Sequence, residues 1–197
     1  DKNLWSWQLS YTMKTSRPGY NNLRNFMQYD SRYLYEGGNP YLRPEYTYNV
    51  ELSFEHKWLS ASVDYDYVHK PMLHTFGLYD NQEIAYFSFH NMGHYQMLSA
   101  AVTASPTFSW YQPSWEIDYS QLFFREPTSL CSRHPSFTFV LRNSLVFPHG
   151  WMAGIDFYGY TDSNEPMRRT AGLVTVDARL RKSFFQDRLV FLLQASD

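Results

Sequence analysis

The stretch Trp5-Ser6-Trp7-Gln8-Leu9-Ser10-Tyr11-Thr12-Met13-Lys14 alternates without a break. Trp5, Trp7, Leu9, Tyr11 and Met13 fall on one side; Ser6, Gln8, Ser10, Thr12 and Lys14 fall on the other. A helix would scatter these residues around its circumference. A strand points successive side chains to opposite faces and sorts them into one apolar and one polar face. The same pattern returns in Tyr46, Tyr48, Val50, Leu52 and Phe54 against Thr47, Asn49, Glu51, Ser53 and Glu55. It returns again in Leu59, Ala61, Val63, Tyr65 and Tyr67 against Ser60, Ser62, Asp64 and Asp66. Only His56, Lys57 and Trp58 separate these two runs, which predicts a tight hairpin.

Later runs are noisier and keep period two: 115–123, 137–142, 151–157, 174–181 and 189–195. Joins alternate in length. Long polar segments lie near 15–45, 69–82, 126–135 and 161–169; short joins lie near 56–58, 106–114, 147–150 and 184–187. For that alternation to hold throughout, 83–104 is one long strand, with Asn91-Met92-Gly93 as a bulge or kink in it. The expectation is an all-β fold: an antiparallel up-and-down meander of about nine strands with no helix, one domain over 1–197. Short turns on one side and long loops on the other are the habit of transmembrane β-barrels.

Composition decides what the apolar face meets. Aromatic residues make up 19% of the 197 residues and charged residues only 18%, below the quarter or so usual in soluble domains. In the better-defined strands the charges lie opposite the apolar face. Along the strands, Tyr11, Tyr46, Tyr48, Tyr65 and Tyr67 gather at the long-loop end. Trp5, Trp7, Phe54, Trp58, Trp115 and Trp151 gather at the short-turn end, with Leu9, Val50, Leu52, Ala61, Val63, Ala153 and Ile155 between. Two aromatic girdles around an aliphatic band match two lipid–water interfaces. The meander is therefore expected to be part of a transmembrane β-barrel with polar residues toward the lumen. A mean hydropathy of −0.50 does not oppose this, because alternating strands average out. The competing expectation is a soluble β-sandwich or barrel that binds carbohydrate through exposed Tyr and Trp; it requires the aromatic residues on one open face.

The segment Gly37-Gly38-Asn39-Pro40-Tyr41-Leu42-Arg43-Pro44-Glu45 resembles one in TonB-dependent outer-membrane receptors, where it enters a barrel strand from an outer loop. Residues 9–18, Asn91-Met92-Gly93, 177–184 and 188–197 resemble further stretches of the same family, in the same order. The resemblance implies uptake of a scarce nutrient, such as a siderophore or a glycan, across the outer membrane of a Gram-negative cell. In that family the TonB complex pulls on a plug through a short peptide box, and outer loops bind the cargo. Neither plug nor box nor the family's final aromatic-ended strand lies within these residues, so the chain reads as a C-terminal barrel portion. The implied partners are the lipid bilayer, the TonB complex and a surface lipoprotein.

Within that reading Gly38, Asn39, Pro40, Leu42, Pro44 and Glu45 form a structural loop-to-strand junction, since glycine and proline set the backbone locally. The cargo-contacting candidates are Arg24, Tyr29, Arg32, Tyr33 and Tyr35 in the first long loop, chosen by position and residue type. No enzyme activity, cofactor or metal is expected. His90 and His94 on one strand would stand about 13 Å apart, too far to share an ion. His69 and His74 flank Pro71 with no carboxylate or cysteine to complete a set. Asp64, Asp66, Glu51, Glu55, Glu116 and Asp118 read as a hydrated lumen lining rather than paired catalytic acids. A single cysteine, Cys131, excludes a disulfide within the chain. A net charge of −2 without any basic run speaks against nucleic acid as a partner.

Overall fold

The structure is a computed structural model that describes residues 5–79, 84–124, 134–165, 168–185 and 188–197. In chain order its strands are β1 (Ser6–Ser16), β2 (Met27–Ser31), β3 (Leu34–Gly37), β4 (Glu45–His56), β5 (Leu59–His69), β6 (Met72–Leu78), β7 (Ala85–Asn91) and β8 (His94–Ala104). They continue as β9 (Tyr111–Phe124), β10 (Ser136–Phe147), β11 (Trp151–Tyr160), β12 (Ser163–Glu165), β13 (Arg168–Thr170), β14 (Leu173–Phe184) and β15 (Leu189–Ser196). Two short 3₁₀ turns, Tyr20–Leu23 and Pro148–Gly150, are the helical elements among the described residues.

Nine strands form one antiparallel sheet in the order β1-β4-β5-β8-β9-β10-β11-β14-β15, and each of the nine expected runs supplies one of them. The register carries the apolar face from strand to strand. One row reads Trp7, Phe54, Ala61, Val102, Ile117, Phe139, Gly159 and Val174. A polar row on the opposite face reads Ser10, Glu51, Asp64, Ser99, Ser120 and Ser136. That row starts in mid-strand on β1 and ends at the first residue of β10. The strands are therefore staggered, as the tilted wall of a barrel requires.

No second layer covers the apolar face among the described residues. Leu9 is 73% exposed, Trp7 65% and Leu193 58%. In water, each such side chain left uncovered forgoes roughly 1.5–3 kcal/mol of burial. A soluble sandwich would bury this face against another sheet; here its remaining solvent is lipid.

The buried apolar side chains lie elsewhere. Val68 and Phe124, joined through Tyr95, form a row on the luminal face at the long-loop end, with Leu122 beside it. Leu42 and Pro71 are buried as well. Burial of the luminal row explains why the polar face turns apolar at Val68, Leu122 and Phe124, against the simple alternation.

Two expectations are corrected. The segment 83–104 is not one strand of the barrel sheet. β8 belongs to that sheet, whereas β7 belongs to a four-stranded sheet in the order β2-β3-β7-β6. The division is a kink without a bulge. Residue numbers paired between β5 and β8 (His69↔His94) and between β6 and β7 (Met72↔Asn91) give the same sum, so no residue is inserted. Across the kink Lys70 N–H donates to Gly93 C=O and Met92 N–H donates to Pro71 C=O, both at 3.0 Å. One long hairpin thus runs through the barrel wall and beyond it. Second, the long segments near 15–45 and 69–82 carry strands: β2 and β3 from the first join β6 from the second through β7. The β3–β7 pairing is parallel, with Tyr35 opposite Tyr86. Such pairing between segments distant in sequence leaves no local periodic signature. The segment near 161–169 likewise holds the small β12–β13 hairpin.

In the later, noisier strands a charge does reach the apolar face: Lys182 of β14 stands opposite Trp151 there. Its Nζ lies 5.0 Å from the Trp151 ring and 5.1 Å from the Phe184 ring, and donates to the His149 carbonyl in the adjoining turn. An apolar stem with its ammonium carried to the rim is how lysine is accommodated at a membrane interface.

Candidate functional site

The four-stranded sheet stands beyond the long-loop end of the wall, joined to it by the long hairpin. Its register places Tyr29, Tyr35 and Tyr86 on one face. The rings form a chain: Tyr29–Tyr35 at 5.7 Å, Tyr35–Tyr79 at 5.3 Å and Tyr79–Tyr86 at 6.3 Å. Tyr86 is accommodated because Gly37 approaches it; a Cβ at Gly37 would collide with the Tyr86 ring. The opposite face carries His74, Phe76, Phe87 and Phe89, with His74 4.7 Å from Phe89 and 5.2 Å from Phe87.

The loop candidates fall into two groups. Tyr29 (66% exposed), Tyr33 (61% exposed) and Arg32 present themselves to solvent at and near the β2–β3 turn, with Arg32 5.7 Å over the Tyr33 ring. Tyr35 is half-buried within the tyrosine chain. Arg24 is engaged internally: it donates to Gln28 Oε1 at 2.8 Å, pairs with Glu36 at 3.4 Å and lies 5.5 Å from the Phe26 ring. It braces the β2–β3 hairpin and orients its neighbours. Tyr79 and Tyr86 were not among the candidates. Tyr86 lies in the run Ala85-Tyr86-Phe87-Ser88-Phe89, whose large rings fall on both faces, unlike the one-sided strands of the wall.

The junction segment holds this sheet to the wall by hydrogen bonds from its own residues. Asn39 N–H donates to Asn22 C=O, and Asn39 Nδ2 donates to Phe89 C=O. Its Oδ1 accepts from Tyr41 N–H, an Asx turn that the following residues close. Asn91 Oδ1 accepts from Arg43 N–H at 2.7 Å, while Nδ2 donates to Arg43 C=O and Lys70 C=O. Glu45 Oε2 accepts from Met72 N–H, the first amide of β6. Gly38 is required by proximity, since a Cβ there would lie 2.5 Å from the Arg24 carbonyl oxygen. Leu42 is buried; Pro40 lies in the turn that Leu42 N–H closes on Asn39 C=O, and Pro44 directly precedes β4.

In the wall itself, the polar face carries Glu51, Asp64 and Asp66, with Asn49 Nδ2 donating to Asp66 and Ser10 donating to Glu51. Further along the same face Asp156 lies between Arg142 and Asp177 in register and pairs with Arg179 at 3.1 Å. These pairs compensate charge within the lumen lining. No group of three or more His, Cys, Asp or Glu side chains converges to hold a metal among the described residues. His90 bonds to Thr75 Oγ1, and His94 lies 5.4 Å from the Tyr67 ring. Cys131 lies outside the described residues.

A single antiparallel sheet with an uncovered apolar face, a charged opposite face and an aromatic sheet beyond its loop end defines the wall of a membrane β-barrel. The chain belongs to the outer membrane protein beta-barrel family, which matches residues 1–197, and its place is the cell outer membrane. No curated protein matches it in sequence.

Proposed function

We propose that this barrel is a TonB-dependent receptor that takes up a scarce nutrient, such as a siderophore or a glycan, and that it has no catalytic role. The observation that carries the reading is the junction 37–45. It has the sequence that resembles the TonB-dependent receptors, and it clamps an exposed aromatic sheet onto the outer end of a barrel strand. An aromatic face at the mouth of a lumen is suited to retaining a cargo that diffuses in from outside. Arg32, Tyr29, Tyr33 and Tyr35 are the proposed contacts, extended by Tyr79 and Tyr86, with Arg24 bracing them. The lipid bilayer surrounds the wall; the TonB complex, acting through a plug and box outside these residues, and a surface lipoprotein are its proposed partners.

Uptake by whole cells tests this. A strain lacking the protein should accumulate less of a labelled ferric chelate or oligosaccharide than its parent. Inactivating TonB in the parent should remove that difference. Uptake that depends on the protein and is indifferent to TonB would show a passive pore and refute the proposal.

A further inference from the structure

Where the junction segment meets the kink of the long hairpin there is a cleft of about 480 Å³, lined by Tyr41, Arg43, His69, Lys70, His90 and Asn91 among others, with no carboxylate in its lining. It is separate from the tyrosine chain. Neither Arg43 nor Lys70 makes an ion pair or a side-chain hydrogen bond among the described residues. The neighbouring carboxylate, Glu45, accepts the Met72 amide and forms no ion pair with either cation. Like charges in one cleft repel each other, and an anion between them relieves that repulsion.

The backbone gives an independent indication. Four non-glycine residues among those described have positive φ: Lys57, Lys70, His149 and Phe185. Lys57, His149 and Phe185 occupy the short turns. Lys70, at φ 53°, stands midway along a hairpin. Asn91 Nδ2 holds its carbonyl at 2.9 Å and Gly93 C=O holds its N–H, so this unfavourable conformation is fixed from both sides. Backbone held in a sparsely populated region is characteristic of ligand-binding positions.

We propose that the cleft binds a phosphate-bearing anion. Arg43 supplies a guanidinium fork and Lys70 an ammonium, the two cations suited to phosphate oxygens. His69 and His90 add ring nitrogens at its edge; His90 uses only Nδ1 in its bond to Thr75. His69 shares a face with Tyr46, whose ring is 6.5 Å away, at the outer girdle. The cleft is thus level with the outer lipid–water interface. The phosphate therefore belongs either to an outer-leaflet glycolipid headgroup or to a free solute.

The test uses the full chain in phosphatidylcholine nanodiscs, with phosphorus NMR line broadening as the readout. One arm adds inorganic phosphate; the other places diphosphorylated lipid A in the disc. The variant is Arg43→Gln with Lys70→Asn, because asparagine tolerates positive φ and so removes the charge without opposing the backbone. Saturable broadening in either arm, weakened about tenfold or more in the variant, is the expected result. Binding in the lipid A arm alone identifies a lipid headgroup; binding of inorganic phosphate identifies a free anion. Arg43→Gln alone, at an exposed side chain, should weaken the same binding with the kink untouched. Equal binding by native chain and both variants, or none by the native chain in either arm, overturns the proposal.

Discussion

Asn91 takes the place of a missing strand partner. Where β4 begins and β6 leaves the wall, its side-chain amide accepts one backbone N–H and donates to two backbone carbonyls. Each such bond contributes about 0.5–1.5 kcal/mol net, and a buried group left unpaired costs about 1–3 kcal/mol. Asn91→Leu should therefore loosen the junction by roughly 2–4 kcal/mol by the same reckoning. Amide hydrogen exchange should speed up at Arg43 and Met72 while the β1–β4 ladder keeps its protection; unchanged exchange at both amides would contradict this role. The Asn-x-Gly signature was visible in the sequence, and so was the junction segment. Their meeting was not, because a side chain that bonds backbone 48 residues away leaves no periodic trace. Lys182 was hidden for a related reason: alternation assigns it to the lipid face, and only the Trp151 ring and the turn carbonyl show how it is tolerated there.

At the level of elements, the nine wall strands were legible because lipid on one side and water on the other force strict alternation in each of them. β2, β3 and β6 were not, since their faces meet neither a lipid nor a uniform lumen and their partners lie in other segments. β9 extended further than expected. It begins at Tyr111, and its Pro113 pairs in register with Asn143 beyond the end of β8, where the missing N–H breaks no bond to that neighbour. Two adjacent residues of β8 test the assignment of faces. Ala100 lies between Val63 and Tyr119 on the apolar face, and Ser99 lies between Asp64 and Ser120 on the polar face. Ala100→Arg should destabilise the folded protein in bilayers by about 2–4 kcal/mol, the usual cost of arginine on a lipid face at mid-depth. Ser99→Arg, set beside Asp64, should cost far less. Denaturant unfolding in phosphatidylcholine vesicles reads both: a larger loss for Ser99→Arg would mean that the faces are reversed, and equal losses that they are equally wet.

For the molecule as a whole, the wall is asymmetric along the membrane normal. All six tryptophans, Trp5, Trp7, Trp58, Trp110, Trp115 and Trp151, lie at the short-turn end. Tyr46, Tyr48, Tyr65 and Tyr67 mark the other end, below the outer sheet. Trp5 packs 4.2 Å from the His56 ring and 5.2 Å from Phe54, and Trp115 Nε1 donates to Asn143, so the indoles sit in a belt with polar partners at hand. A belt of this kind is held at the lipid–water interface by its mixed character. Contact of the apolar face with lipid is read by tryptophan fluorescence of the full chain, with brominated lipids that quench at graded depths. The wall described above predicts strong quenching at interfacial depth and weak quenching at the bilayer centre; a chain that stays folded, monomeric and unquenched when lipid is added would contradict it.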